Sequence, residues 1–390
     1  MIQADVRHPS ALQPSEIAAW REACAAEPAF RNPLLGPDFA LLVGEVREDA
    51  RVAVFTDGDQ IAGFLAFHRR PSGFDRPIGS AFSDYHALVT APGVRLDGPG
   101  ALAAAGVGSI RFTGLIDPQA QFPGQQAAAC PGYVIDLEGS AEAHLEALRA
   151  VNPKRFKNWK RLQNKLEREW GEVVLTPADT SQEAFDQLVA WKRDQFRRTG
   201  AHDVMRPDWA RALFQAAFER REGPLRGVMT TLRAGGRLVA GHFGVTAAGA
   251  CHAWLSSMDP DCSACAPGQV LMLQTPEIME TLGLGAYDFG PGYAHYKAPF
   301  ASREVPVAEG LAMADGRGGL AARSIEGAWA LAGERRIDAV GRLRRRLDHI
   351  ASAELSMGGQ VRGMVEAIAG YGRRAATREP VRATAASEDA

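Results

Sequence analysis

The stretch 265–300, CAPGQVLMLQTPEIMETLGLGAYDFGPGYAHYKAPF, constrains the fold more than any other part of the chain. Ala266, Pro267 and Gly268 break whatever precedes them. Over 269–282, Val270, Leu273, Ile278 and Leu282 recur at helical spacing and supply a buried stripe. Gly283 and Gly285 end that helix, because glycine accepts the left-handed cap conformation. The chain then enters a short strand at 286–289 and turns at Gly290-Pro291-Gly292, which leaves Tyr293, His295, Tyr296 and Lys297 on a loop.

Two physical features of this stretch point to an anion site. The first amides of a helix lack intrahelical partners and sit at the positive end of its dipole. A Pro-Gly turn lets a phosphate approach that backbone closely. Asp288, at the strand end, lies near Tyr296 and Lys297 in sequence, so a carboxylate, a phenol and an ammonium come from one short segment. The same residues also read as a plain helix start and surface turn.

The net charge of -2 over 390 residues excludes a wholesale nucleic-acid binder, DNA included. Hydrophobic residues at 46% and charged residues at 23% are the balance of a globular chain with room for two cores. No apolar run approaches the ~20 residues that span a bilayer. The opening MIQADVRHPS has no basic segment followed by an apolar core, so the expectation is a cytoplasmic protein. Five cysteines without an export signal read as reduced thiols. Cys262 and Cys265 have CxxC spacing but no second pair of ligands, so no metal is expected; a redox pair is the alternative to two ordinary small residues.

Along the chain, a helix is predicted over 14–26 and another over 39–46. A hairpin follows, with strands at 51–55 and 61–69 across Asp57-Gly58-Asp59. PIGSAFSDYHALV then places Asp84, Tyr85 and His86 between apolar flanks, three polar groups that could orient a sugar or a peptide. A helix over 94–105 and strands at 109–115 and 133–137 complete a first unit, 1–139.

The second unit, 140–310, opens on a helix that Pro153 interrupts. Its continuation, KRFKNWKRLQNKLEREW, sets Phe156, Trp159, Leu162 and Leu166 on one face and a basic surface around Lys157 and Lys160 on the rest. That surface reads as a solvated face, an RNA patch or a site for an anionic substrate. A strand at 172–176, helices over 181–198 (carrying Trp191) and 207–221, and three strands between 228 and 258 lead back to the opening stretch. This order fits a mixed α+β sheet flanked by helices.

Beyond Phe300 the texture becomes helical. Arg342, Arg344, Arg345 and Arg346 sit in an amphipathic extension over 311–374, which reads as a packed arm. An Arg-rich site for an anionic regulator, such as a cyclic dinucleotide, and a basic helix lying on a membrane surface are the alternatives. The tail 375–390 is small and polar and reads as disordered.

Three motifs in this order, PIGSAFSDY, the basic helix with its strand over 152–175, and the PG-helix followed by YDFGPGYAHYK, resemble the FemAB-like group of GNAT acetyltransferases. The branch most similar is the one associated with cellulose, holdfast and other exopolysaccharides. The resemblance spans about 32–300. It implies two tandem GNAT-like domains of mixed, largely antiparallel sheet, the second holding acetyl-CoA, and direct transfer of the acyl group to an amino sugar of a polysaccharide or lipid-linked precursor. It places the 77–85 segment at the cleft between the halves.

Within that frame the amides of Gly268, Gln269 and Val270 are expected to hold the diphosphate, with the strand around Ser256 and Ser257, or Tyr296 or Lys297, polarising the thioester. Asp288 is the expected base. Asp84, Tyr85, His86, Lys157, Lys160 and Trp191 are expected to meet the acceptor. Relatives usually carry a longer glycine-rich loop than the single glycine of APGQ. The competing readings are a tRNA-dependent aminoacyl transferase of peptidoglycan and a non-catalytic regulatory binder.

Overall fold

The computed structural model describes residues 2–365 except 71–73, 125, 200, 293, 334–337, 356–357 and 360. The first half of the chain runs β1 (Ile2–Arg7), α1 (Pro14–Ala26), α2 (Pro37–Gly44), β2 (Ala50–Asp57), β3 (Gln60–His68), β4 (Phe74–Pro77), β5 (Val89–Thr90), α3 (Gly98–Ala104), β6 (Ser109–Leu115), β7 (Gln126–Ala128) and β8 (Gly132–Asp136). The second half runs α4 (Ala141–Val151), α5 (Pro153–Trp170), β9 (Val173–Thr176), α6 (Gln182–Thr199), α7 (Asp208–Glu219), β10 (Leu225–Ala234), β11 (Arg237–Ala247), β12 (Ala250–Met258), α8 (Pro267–Leu273), α9 (Thr275–Leu282) and β13 (Ala286–Pro291). It closes with α10 (Ala294–Lys297), β14 (Arg303–Val305), β15 (Ala308–Met313), α11 (Leu320–Leu331) and α12 (Asp338–Ala353).

Two mixed sheets result. One has the order β1-β2-β3-β4-β6-β15-β7, with β5 on β3; the other has the order β14-β8-β13-β12-β11-β10-β9. The sheets do not divide at Gly139 as the sequence suggested. β8, from the first half, pairs with β13, and β15, from the end of the second half, pairs with β6 and β7. Each half thus closes its sheet with a strand from the far side of the boundary. The three-residue β14 and six-residue β15 are too short to stand out in sequence, and so is β1, an edge strand on β2.

The core explains why the strands read as continuous apolar runs. In β2, Val52 and Val54 face one cluster, while Ala53 and Phe55 face another on the opposite side of the sheet. The first cluster is shared between the halves: Phe39 of α2 lies edge-on to Trp254 of β12 at 5.7 Å, and Phe82 lies against Trp209 and Phe214 of α7. The outer face of the second sheet is covered by α5, α8 and α9, with Trp159 stacked on Phe300 at 4.1 Å.

Where the sequence suggested one helix over 269–282, the chain makes two, α8 and α9. Pro276 cannot donate to the carbonyl of residue 272, and its ring clashes there, so the helix breaks at Gln274. Pro153 divides α4 from α5 for the same reason. The loop expected after Tyr293 holds a single helical turn, α10, while Tyr293 itself, residues 366–374 of the extension and the tail 375–390 lie outside the described residues.

Candidate active site

The site begins at a fork in the second sheet. β12 and β13 run parallel and pair only at Ala250–Ala286, Cys251–Tyr287 and His252–Asp288; both strands continue, to Met258 and Pro291, without each other. A parallel pair that stops early opens a wedge in an otherwise closed sheet, bordered by free strand edge.

A buried polar network from both halves stands at the fork. Asn32 caps the turn at Pro33–Leu35, accepting the Leu34 N–H on Oδ1 at 3.0 Å. This contact fixes the amide orientation, so Nδ2 donates twice: to His252 Nδ1 at 3.0 Å and to Asp288 Oδ2 at 3.0 Å. A ring nitrogen that accepts cannot carry the proton. The His252 proton therefore sits on Nε2 and is donated to Asp84 Oδ2 at 3.1 Å. Tyr85 OH donates to Asp288 Oδ1 at 3.0 Å, and the Gly290 N–H donates to the same oxygen at 2.7 Å.

Asp288 thus accepts three donors on its two oxygens. Burial pushes its carboxyl above the usual carboxylate range, opposed by the His252 ring, the Gly290 amide and the Tyr85 hydroxyl. Burial also raises the Tyr85 phenol, with the Asp288 charge adding to it, so Tyr85 remains a donor. Lys297 reaches back to donate to three carbonyls at the end of β13: Phe289 at 2.7 Å, Pro291 at 3.0 Å and Gly290 at 3.5 Å. Asp288, Tyr296 and Lys297 were expected together as catalytic groups. In the structure Asp288 links the two halves, Lys297 holds the strand end, and Tyr296 packs beside His295 in the cluster under Phe300.

Of the acceptor residues expected from the sequence, Asp84 and Tyr85 reach the fork. His86 faces the opposite way, buried beside Trp20, Leu34 and Leu35, and burial lowers its imidazole to about 4. Lys157 and Lys160 are exposed on α5, on the outer face of the sheet, Lys160 against Gln163. Trp191 lies elsewhere, in a cavity of about 490 Å³ at the end of β12, with Glu183, Gln187, Arg233, Arg237 and Asp259. Its neighbour Lys192 sends Nζ to Ser256 O at 3.4 Å; burial lowers this ammonium, Lys297 lowers it further and Asp84 raises it.

The start of α8 departs from expectation. The amides of Gln269 and Val270 are both taken by Ala266 O, at 2.9 and 3.3 Å, because Ala266 turns in the left-handed region at φ 46° and aims its carbonyl into the helix. Gly268 remains the open point: a side chain there would meet only Met258 Sδ, at 3.8 Å. Ser256 is exposed on β12, whereas Ser257 Oγ donates to Leu188 O at 2.8 Å. The arginine cluster of the extension is divided: Arg344 is buried against Glu326 and over the Trp329 ring, Arg345 is exposed, and the Arg342 side chain lies outside the described residues.

Asn32 and His252 are the members of the network that sequence reasoning did not single out. Asn32-Pro33 reads as a loop and His252 as a strand residue near the CxxC, and 220 residues separate them. A cap residue before a Pro-initiated turn is the one local signal that could have marked Asn32.

Residues 153–298 match the family model for the acetyltransferase (GNAT) domain. No curated protein matches the sequence. Among solved structures, FemX is 10% identical, with a TM-score of 0.50 over 77% of this chain and 96% of that one. The C-terminal DUF2156 domain of a protein described as a lysylphosphatidylglycerol synthetase, from Agrobacterium fabrum, is 10% identical with a TM-score of 0.48, covering 82% and 94%. A tandem GNAT protein from the clavulanic acid biosynthesis pathway is 12% identical with a TM-score of 0.45, covering 81% and 99%. At 10% identity the likeness to FemX bears on fold alone. The domain match defines the class: an acyltransferase with a GNAT domain over 153–298 and a helical C-terminal region.

Proposed function

We propose that the protein moves an acyl group from acetyl-CoA to the amine of an amino sugar, in an exopolysaccharide or its lipid-linked precursor. The observation that carries this reading is the fork between β12 and β13, with a half-exposed carboxylate, Asp84, set at it by a buried network. Acetyl-CoA supplies the activated acyl carbon. Of the expected donors Gly268 would remain to hold it, where a side chain would meet only Met258 Sδ, with Ser256 of β12 exposed.

The acceptor class is supported by the Trp191 cavity. Arg237 is already paired there with Asp259 and Asp261, and Arg233 lies within 3.9 Å of Asp179. The lining is therefore polar without surplus positive charge, and an indole beside carboxylate and amide side chains suits a sugar ring better than an anion. Lys192 extends from the same helix toward β12 and keeps the acceptor side of the fork within reach of a cation.

Calorimetric titration with acetyl-CoA, beside a Gly268→Asp variant, tests the donor. Micromolar binding that the variant loses supports the reading, and glucosamine oligomers are then screened as acceptors. Absence of binding to the intact protein overturns it. A second reading, aminoacyl transfer from tRNA to a peptidoglycan precursor, is favoured by the exposed basic face of α5. Strong tRNA binding abolished by Lys157→Glu with Lys160→Glu would select it.

A further inference from the structure

The geometry points to Asp84 as the group that takes the proton from the acceptor amine, with His252 and Asn32 as its positioning residues. This assignment rests on the acyl-transfer reading above. Asp84 is open to solvent: its side chain is 40% exposed, against 0% for His252 and 8% for Asp288. One carboxylate oxygen, Oδ2, receives the His252 proton, while Oδ1 accepts nothing from the described residues.

The hydrogen bonds run in one sense only. The Leu34 amide fixes Asn32, Asn32 fixes the His252 tautomer, and His252 fixes the Asp84 carboxylate. Asn32 also ties this chain to Asp288, so the relay is held by both halves of the molecule. The backbone leaves room for it: a side chain at Gly290 would stand 2.6 Å from Asp84 Oδ2 and 3.6 Å from His252 Cε1. Such a chain orients a carboxylate; it does not itself meet the acceptor.

Several elements set charged and titratable groups around Asp84. His252 faces it from β12 and Asp288 from β13, Tyr85 follows it in the chain, Lys192 lies on α6 and Lys297 on α10. An acceptor arrives as an ammonium. One of its N–H bonds breaks, an O–H bond forms at Asp84 Oδ1, and the electron pair stays on nitrogen as the nucleophile. Water takes the proton from Asp84 afterwards. Asp288 is the less accessible carboxylate, its side chain 8% exposed and its oxygens already accepting three donors.

The test uses the full chain with acetyl-CoA, and glucosamine oligomers and lysine-containing peptides as acceptors. Asp84→Asn should lower kcat by on the order of 10²–10⁴-fold, with acetyl-CoA affinity within about twofold of the parent and an unchanged melting temperature. Formate should restore part of the rate to Asp84→Ala, an effect that lost packing would not produce. Histidine-selective nitrogen NMR should read His252 as the Nε2–H tautomer in the unmodified protein. Wild-type turnover in Asp84→Asn, absence of formate rescue, or an Nδ1–H tautomer each overturns the assignment and leaves the acyl-transfer reading standing. If the intact protein acylates neither kind of acceptor, both fall.

Discussion

Gly290 shows how one missing side chain can hold a site together. Its φ is +73°, and its Cα faces the Asp84–His252 contact too closely for a Cβ. Gly290→Ala carries a backbone cost of about 1–2 kcal/mol for the left-handed conformation, and it pushes the Asp84 carboxylate off its hydrogen bond. The expected result is a fall of about tenfold or more in acyl transfer, of the size a misplaced base produces, with acetyl-CoA affinity retained. Unchanged kinetics would show that β13 yields there without disturbing Asp84. Asp84, Tyr85 and Asp288 were readable as site candidates because polar residues between apolar flanks stand out. Their surroundings were not readable, since nothing local shows that three donors meet on Asp288 or that Asp84 faces solvent.

At the scale of elements, α5 carries two kinds of residue whose substitutions should behave differently. Trp159 is 3% exposed and stacks on Phe300, and Leu162 and Leu166 continue the same stripe. Trp159→Ala should cost about 3–5 kcal/mol, as large-to-small changes in a packed core do. Lys157→Glu and Lys160→Glu should stay within about 0.5 kcal/mol, since both side chains are exposed. Denaturant titration separates the two cases, and a large loss from the lysine variants would mean that this face packs against something. The amphipathic period, the caps and the prolines made α1, α5, α6 and α7 legible in sequence. The strands β1, β14 and β15 stayed hidden because they owe their existence to partners far along the chain.

The whole molecule is held by its shared core and by the arm. Asp348 of α12 meets Arg76 at 3.2 Å and Arg111 at 2.6 Å on the first sheet. Glu354, just beyond, meets Arg206 at 2.6 Å, and Trp209 Nε1 donates to Ala353 O at 2.9 Å, both from the second half. The arm therefore bridges the two halves. Asp348→Ala strands Arg76, whose side chain is 12% exposed, and should cost about 1–3 kcal/mol; an unchanged melting temperature would show that the bridge contributes nothing.

Acid stability is a second property of the whole. Burial holds His68, His86 and His242 down to about 4, below the ordinary value of 6.5. Between those values the unfolded chain binds more protons than the folded one, so stability falls as pH drops from 6.5 towards 4. Urea midpoints that stay constant across this window would contradict it.

Periodicity, glycine and proline by themselves determined most helices, the central hairpins and the class of fold, because those signals act over a few residues. Tertiary structure alone decided which strand closes which sheet, how the arm bridges the halves, and which carboxylate faces solvent. Asp84 and His252 are 168 residues apart, and their contact depends on where two sheets and a capped turn come to rest. No local pattern encodes that distance, since the energy that fixes it is the burial of a core shared by both halves.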